Sequence, residues 1–177
     1  MQWIYFDASA LIKRYSQETG TPLVNEVFRL LPRSRMTCST LGILETISVL
    51  VRKRNDGRLS QTLFEQAMIE FRAEVIDQEE FSATSVSDAL LLSALDLIAK
   101  HNLNATDAVI LRSALNLQQV LREAGDELML WTSDKRLVRA AQDEGVTTFD
   151  PEEETIDHLH QLLGVSEHPG SAYSPAS

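Results

Sequence analysis

Gln2-Trp3-Ile4-Tyr5-Phe6-Asp7-Ala8-Ser9-Ala10-Leu11-Ile12 opens the chain and sets its architecture. An apolar, aromatic-rich run of strand type ends at a carboxylate, and a helical pattern through Leu11, Ile12 and Tyr15 follows at once. This is a β-turn-α unit with an acid at the turn. The same alternation recurs outward from it. Gly20-Thr21-Pro22 starts a helix through Leu23, Val27, Leu30 and Leu31 that Pro32 stops, and a second strand is expected over 35–38. Ser39 or Thr40 can cap the next helix, whose apolar residues Leu41, Ile43, Leu44, Ile47, Leu50 and Val51 recur with a helical period until Asn55-Asp56-Gly57.

Ser60 opens a long helix through Leu63, Phe64, Ala67, Met68, Phe71 and Val75, and residues 77–83 read as a polar connection. A helix capped by Ser85 or Ser87 runs through Leu91, Leu95 and Ile98. A break over 101–104 precedes a further helix carrying Ala108, Leu111, Ala114 and Leu115. Strands are expected over 127–132 and 146–149, with a helix between them from Ser133 or Asp134 to Gly145. Strands alternating with helices predict an α/β fold, a three-layer α/β/α sandwich with a central, mostly parallel sheet. Residues 1–165 are expected to form a single domain and 166–177, rich in Ser, Pro, Gly and Ala, a disordered tail.

The composition excludes several classes. At 177 residues and 44% apolar, the chain is the size of one domain with one substantial core. One cysteine, Cys38, rules out an intrachain disulfide and a thiolate metal cluster. The apolar residues before Asp7 are too few for a secretory signal, and no run is long enough to span a bilayer, so a cytoplasmic protein is expected. The net charge of −10 is unevenly spread: beyond Arg139 lie eight acids and no Lys or Arg. That acidic end reads as a solvated surface.

Four acids, Asp7, Glu45, Asp107 and Asp134, fall at strand ends or in the first turns of helices. In open parallel sheets, sites form at the carboxyl ends of the strands, where these positions converge. Asp107 and Asp134, each taken alone, read equally as capping or helix-dipole residues. Glu45 sits among apolar neighbours in a helix expected to be largely buried, where an unpaired carboxylate is costly. Asp7 ends a central strand and needs a helix N-terminus or a cation. Four carboxylates with no rival set of His or Cys suit a divalent metal ion that prefers hard oxygen ligands.

At this point the local sequences resemble PIN-domain ribonucleases, in particular the VapC-type toxins of toxin-antitoxin pairs. The resemblance rests on Ile4 to Tyr15 with Glu18 and Gly20, on Leu44-Glu45-Thr46, on Ala105-Thr106-Asp107-Ala108, and on Trp131 to Leu137 with Ala140, Ala141 and Gly145. No one motif is specific, but four in order over about residues 2–150 are. The resemblance implies Asp7, Glu45 and Asp107 as core ligands of Mg²⁺ or Mn²⁺, with Asp134 completing the set. It also implies hydrolysis of single-stranded RNA, a small antitoxin partner and a homodimer. Ser9 and Thr132 offer hydroxyls to water or phosphate, or else hold the turn. Lys13, Arg14, Lys135 and Arg136 are candidate phosphate contacts by their closeness in sequence to the acids. Arg52, Lys53, Arg54 and Arg58 could guide a phosphate backbone or simply favour a helix C-terminus. His158 and His160 read as surface, and Trp3 and Trp131 as core.

Two other classes compete. A PIN-like protein-interaction module without catalysis would not need to gather four uncompensated acids. An aspartyl phosphatase of the haloacid dehalogenase type calls for an acid two residues after the first Asp, where this chain has Ser9.

Overall fold

The computed structural model describes residues 1–165, so the expected tail over 166–177 lies outside the described residues. Five parallel strands form one sheet in the order β3-β2-β1-β4-β5. They are β1 (Gln2–Phe6), β2 (Met36–Ser39), β3 (Ser82–Thr84), β4 (Glu127–Trp131) and β5 (Thr147–Phe149). β1 is central and pairs with β2 (Phe6 opposite Cys38) and with β4 (Phe6 opposite Trp131). Its alternation serves two cores. Ile4 and Phe6 join Met36, Cys38, Met129 and Trp131 on one face, and Tyr5 joins Leu128 and Leu130 on the other. A strand covered on both sides has no polar face, which is why Ile4 to Phe6 reads as a continuous apolar run.

The helices follow from the handedness of the crossovers. From β1 to β3 the chain moves one way across the sheet through α1 (Ala8–Leu11), α2 (Thr21–Leu30), α3 (Thr40–Asn55) and α4 (Gln61–Phe71), the last extended by a π turn, Arg72–Ile76. These elements supply the core containing Ile4 and Phe6. The chain then jumps back over β2 and β1 through α5 (Asp88–Ser93), α6 (Leu95–His101) and α7 (Ala105–Glu123) to β4, and through α8 (Lys135–Asp143) to β5. Right-handed crossovers taken in the opposite direction must cover the opposite face, and these helices pack around Tyr5, Leu128 and Leu130. The winding reverses between β1 and β4. Asp7 and Thr132 follow directly from those two strands.

Three local expectations change. The polar connection at 77–83 holds β3, a three-residue edge strand paired to β2 with Thr37 opposite Ser82. Short, polar and mostly exposed, it has the character of an edge strand and no apolar alternation to reveal it. The helix expected through Leu91, Leu95 and Ile98 is two helices, broken at the buried Ala94. The acidic end is not merely a solvated surface. It forms α9 (Ile156–Leu163), whose Leu159 is fully buried in the core containing Ile4 and Phe6. Among the described residues no helix is long and apolar enough to cross a membrane.

Candidate active site

Asp7, Glu45, Asp107 and Asp134 line one cavity of about 170 Å³ with Ala8, Ser9, Val49 and Arg52. It lies at the carboxyl ends of β1 and β4, where the sheet reverses its winding. Each acid arrives on a different element, positioned by its own local chemistry.

Asp7 is buried at the end of β1, where its N–H donates to the Trp131 carbonyl at 2.9 Å. Its Oδ2 accepts from the Ser9 hydroxyl at 2.5 Å, the Thr132 hydroxyl at 3.0 Å and the Ser9 N–H at 3.2 Å, the last as N-cap of α1. All three bonds fall on Oδ2, which leaves Oδ1 without a hydrogen-bond partner among the described residues. Ser9 and Thr132 are thereby committed. The Ser9 Oγ also accepts from the Ser133 N–H, and the Thr132 Oγ1 from the Asp134 N–H. Of the two readings of these hydroxyls, holding the turn is the one the contacts describe.

Asp107 sits in the first turn of α7. Asn104 caps that helix with its Oδ1 on the Asp107 N–H at 2.8 Å and donates its Nδ2 to the Asp107 Oδ2 at 2.8 Å. Asn104 is a site residue that sequence reasoning passed over. The signal was available, since Asn followed three residues later by an acid is a capping pattern. Asp134 caps α8, its Oδ1 accepting from the Arg136 and Leu137 N–H groups at 2.8 and 3.1 Å. Its capping role and its place in the cavity coexist, because one oxygen serves each. Glu45 is half-buried, on a helix less buried than its sequence suggests: Leu44 beside it is 61% exposed. No hydrogen bond reaches its carboxylate among the described residues.

The electrostatics follow from this crowding. Burial, then the charges of Asp7 and Asp107, push the Glu45 carboxyl up to about 7, with Arg52 opposing. Burial, then Asp7 and Asp134, push Asp107 up to about 6, with Arg136 opposing. The fold holds like charges together beyond what these two arginines offset, which favours the protonated forms of Glu45 and Asp107, whereas a cation among them would favour the ionised forms. The donor set suits a hard divalent ion: four carboxylates, each with at least one oxygen free of protein hydrogen bonds among the described residues. They line a mouth rather than a closed cage. Among the described residues, no three His, Cys, Asp or Glu side chains are drawn together closely enough to hold an ion as they stand.

The basic candidates separate sharply. Lys13 is not placed to meet a phosphate: its side chain is 2% exposed and bonds Glu152 at 2.5 Å, with Glu18 at 3.5 Å. Arg14 is likewise diverted, forked onto Glu74 at 2.7 and 3.0 Å and donating to Asn25. Lys135 points away to Asp150 and Glu153, each at 2.5 Å. Closeness in sequence misled because one residue along a helix turns a side chain by about 100°. Arg136 is exposed and near enough to act on Asp107. Arg52, from the basic group at the end of α3, lines the cavity itself. The partners of Lys13 and Lys135 belong to a turn, Asp150 to Glu154, that clasps the start of the chain. Gly20, at φ +89°, lies against it so closely that a Cβ would meet the Pro151 carbonyl oxygen at 2.5 Å. His160 bonds Glu26 at 2.6 Å and His158 pairs with Glu154. Trp131 is fully buried, stacked on Phe149 at 4.2 Å.

Comparison with protein families matches residues 4–143 to the PIN domain. Among solved structures, the chain is similar to PAE2754 from Pyrobaculum aerophilum, with 18% identity and a TM-score of 0.59, over 94% of this chain and 100% of that one. It is also similar to a chain of FitAB bound to an IR36 DNA fragment, at 13% identity and TM-score 0.58, over 86% and 97% of the two chains. For FitAcB from Neisseria gonorrhoeae the identity is 15% and the TM-score 0.55, over 85% and 99%. At these identities the likeness is one of fold. A search of curated proteins finds no match.

Proposed function

The chain belongs to the PIN-domain family, and from that premise we propose that it is a metal-dependent endoribonuclease that hydrolyses single-stranded RNA. The observation that carries this reading is the convergence of Asp7, Glu45, Asp107 and Asp134 on one cavity, with two of their carboxyls pushed toward neutrality. A scaffold gains nothing from holding four acids together against their repulsion. In this reading Asp7, Glu45 and Asp107 are the core ligands of Mg²⁺ or Mn²⁺, and Asp134 completes the set. When bound, such an ion neutralises the phosphodiester and lowers the pKa of the attacking water.

The protein's own contribution is preorganisation. Ser9 and Thr132 fix the Asp7 carboxylate, Asn104 fixes that of Asp107, and each carboxylate keeps its other oxygen free of protein hydrogen bonds among the described residues. With values pushed up to about 7 and about 6, Glu45 and Asp107 would give up bound protons on holding a divalent ion, which makes its affinity rise with pH. No side-chain nucleophile is required, and the Ser9 hydroxyl is already engaged by Asp7 and Ser133.

We extend the reading to residues 1–165 as one nuclease domain, acting as the toxin of a type II toxin-antitoxin pair in the cytoplasm. A small antitoxin and a homodimer are the partners that the family resemblance supports. The similar FitAB structure was solved on DNA, which supports testing a DNA-bound state for a complex of this chain. The deciding experiment is cleavage of a mixed cellular RNA pool by purified protein with Mg²⁺, Mn²⁺ or EDTA, beside Asp107→Asn. Metal-dependent cutting that the variant lacks is the expected result. A folded, partner-free protein that cuts with neither metal would favour the interaction-module reading.

A further inference from the structure

A second recess of about 390 Å³ adjoins the acid mouth, between the end of α6 and one face of α8. Lys100, His101 and Asn102 form one wall; Arg136, Arg139 and Asp143 form the other. Two segments link the cavities. Asp134 caps α8 and lines the mouth, and Arg136, two residues on, lines the recess while lying near enough to act on Asp107. The connection from α6 to α7 does the same, with Asn102 on the recess and Asn104 on Asp107. Asn102 adopts a left-handed conformation, φ 52°, which ends α6 abruptly and turns the chain toward the mouth.

The charges of the recess are unequal in kind. Glu144, at the end of α8, accepts from Lys100 at 2.7 Å and lies 2.6 Å from His101 Nε2, so the bases of the α6 wall are already paired across to α8. Arg136 and Arg139, three apart on one helix face, are exposed and have no carboxylate partner among the described residues. This contrasts with Lys13, Arg14 and Lys135, all saturated by acids. Two uncompensated guanidinium groups beside a mouth of carboxylates suit a chain of regularly spaced anions that begins at the mouth and continues past it.

We propose that this recess binds the backbone phosphate of single-stranded RNA adjoining the scissile one, with Arg136, which links it to the mouth, and Arg139 as phosphate ligands. The assignment rests on the nuclease reading and deepens it by giving the substrate a direction across the protein, from Arg52 on one rim to α8 on the other. Asp143, 70% exposed on the same wall, opposes the anion and tempers the affinity.

The test uses the whole protein and a fluorescent single-stranded RNA oligonucleotide, with affinity measured over a salt series in EDTA so that cutting does not interfere. Arg139→Gln is expected to weaken binding several-fold and to lower the salt slope by about 0.7, the value for one phosphate contact on a single strand. Asp143→Asn is expected to tighten binding. Under Mn²⁺, Arg139→Gln should raise KM and leave kcat in place, which a loss of fold would not do. An unchanged slope in Arg139→Gln, in protein that still cuts RNA, overturns the recess assignment alone. Wild-type protein that neither binds nor cuts RNA overturns the nuclease reading, and this inference with it.

Discussion

The molecule holds two groups of four carboxylates with opposite fates. Asp150, Glu152, Glu153 and Glu154 in the turn after β5 each meet a partner: Lys135 takes Asp150 and Glu153, Lys13 takes Glu152, and the His158 ring pairs with Glu154. Asp7, Glu45, Asp107 and Asp134 line one cavity, and none of them makes a salt bridge among the described residues. Burial pushes the Asp150 carboxyl up, but the bonds from Lys135 and the Glu152 N–H outweigh it and leave it below its ordinary value. At Glu45 and Asp107 nothing outweighs burial and repulsion, and both are raised. The number of acids therefore does not distinguish a site from a brace. The absence of internal compensation does, because charge left unbalanced by the fold is available to a ligand.

The sharpest way to break this contrast is Asp107→Asn. On the nuclease reading, cleavage falls by at least about a hundred-fold, since the ion's stabilisation of the reacting phosphate is worth several kcal/mol. The fold is retained, because Asn keeps an acceptor for the Asn104 amide. RNA cleavage at the wild-type rate would remove Asp107 from the machinery. In the clasp the prediction inverts. Lys13→Met strands Glu152, while Glu18 keeps Lys53, and is expected to destabilise the protein by about 2–3 kcal/mol in urea unfolding, below the 3–5 typical of fully buried pairs because Glu152 is 40% exposed. Its Mn²⁺ affinity should be unchanged, and a large drop would tie the clasp to the mouth.

A smaller effect concerns pH. Glu45 and Asp107 have folded-state values near 7 and 6, above the unfolded values near 4. The folded protein thus holds protons that the unfolded chain gives up. Metal-free stability falls as pH rises from about 4 to 7, and the loss is complete above that. Glu45→Gln should then stabilise the metal-free protein by about 1 kcal/mol at pH 8, discounted for its half exposure, and by nothing at pH 4. Equal thermal shifts at both pH values would refute the repulsion argument. The smallest expected effect is at Lys135. Because Asp150 and Glu153 already occupy it, Lys135→Gln should leave RNA affinity and its salt slope close to wild type, in contrast to Arg139→Gln. A slope change as large as that of Arg139→Gln would place Lys135 on the substrate.

The fold was legible where burial imposes a period. β1 and β4 and the crossover helices declare themselves because both sheet faces are covered there and every inward position must be apolar. β3 did not, since an exposed edge strand of three residues is held by backbone pairing to β2, which no side chain encodes. α9 was masked by the acids around Leu159, whose burial is visible only once α2 and the sheet lie against it. At the candidate site, the carboxylates stood out by residue type and by their place at strand ends. The basic residues did not, as Lys13 and Arg136 are alike in composition and differ only in what the fold sets opposite them.

The sequence by itself determined the parallel α/β order, the acids that follow β1 and β4, and the caps that start the helices at those acids, because each depends on neighbours within a few residues. Tertiary structure alone decided which charges are spent on one another. Lys13 meets Glu152 across 139 residues of chain, while Arg136 and Arg139 meet no carboxylate among the described residues. Ion pairing depends on distance in space, and the turn after β5, folded onto the start of the chain, takes up Lys13 and Lys135 and so keeps both bases from the acids of the mouth.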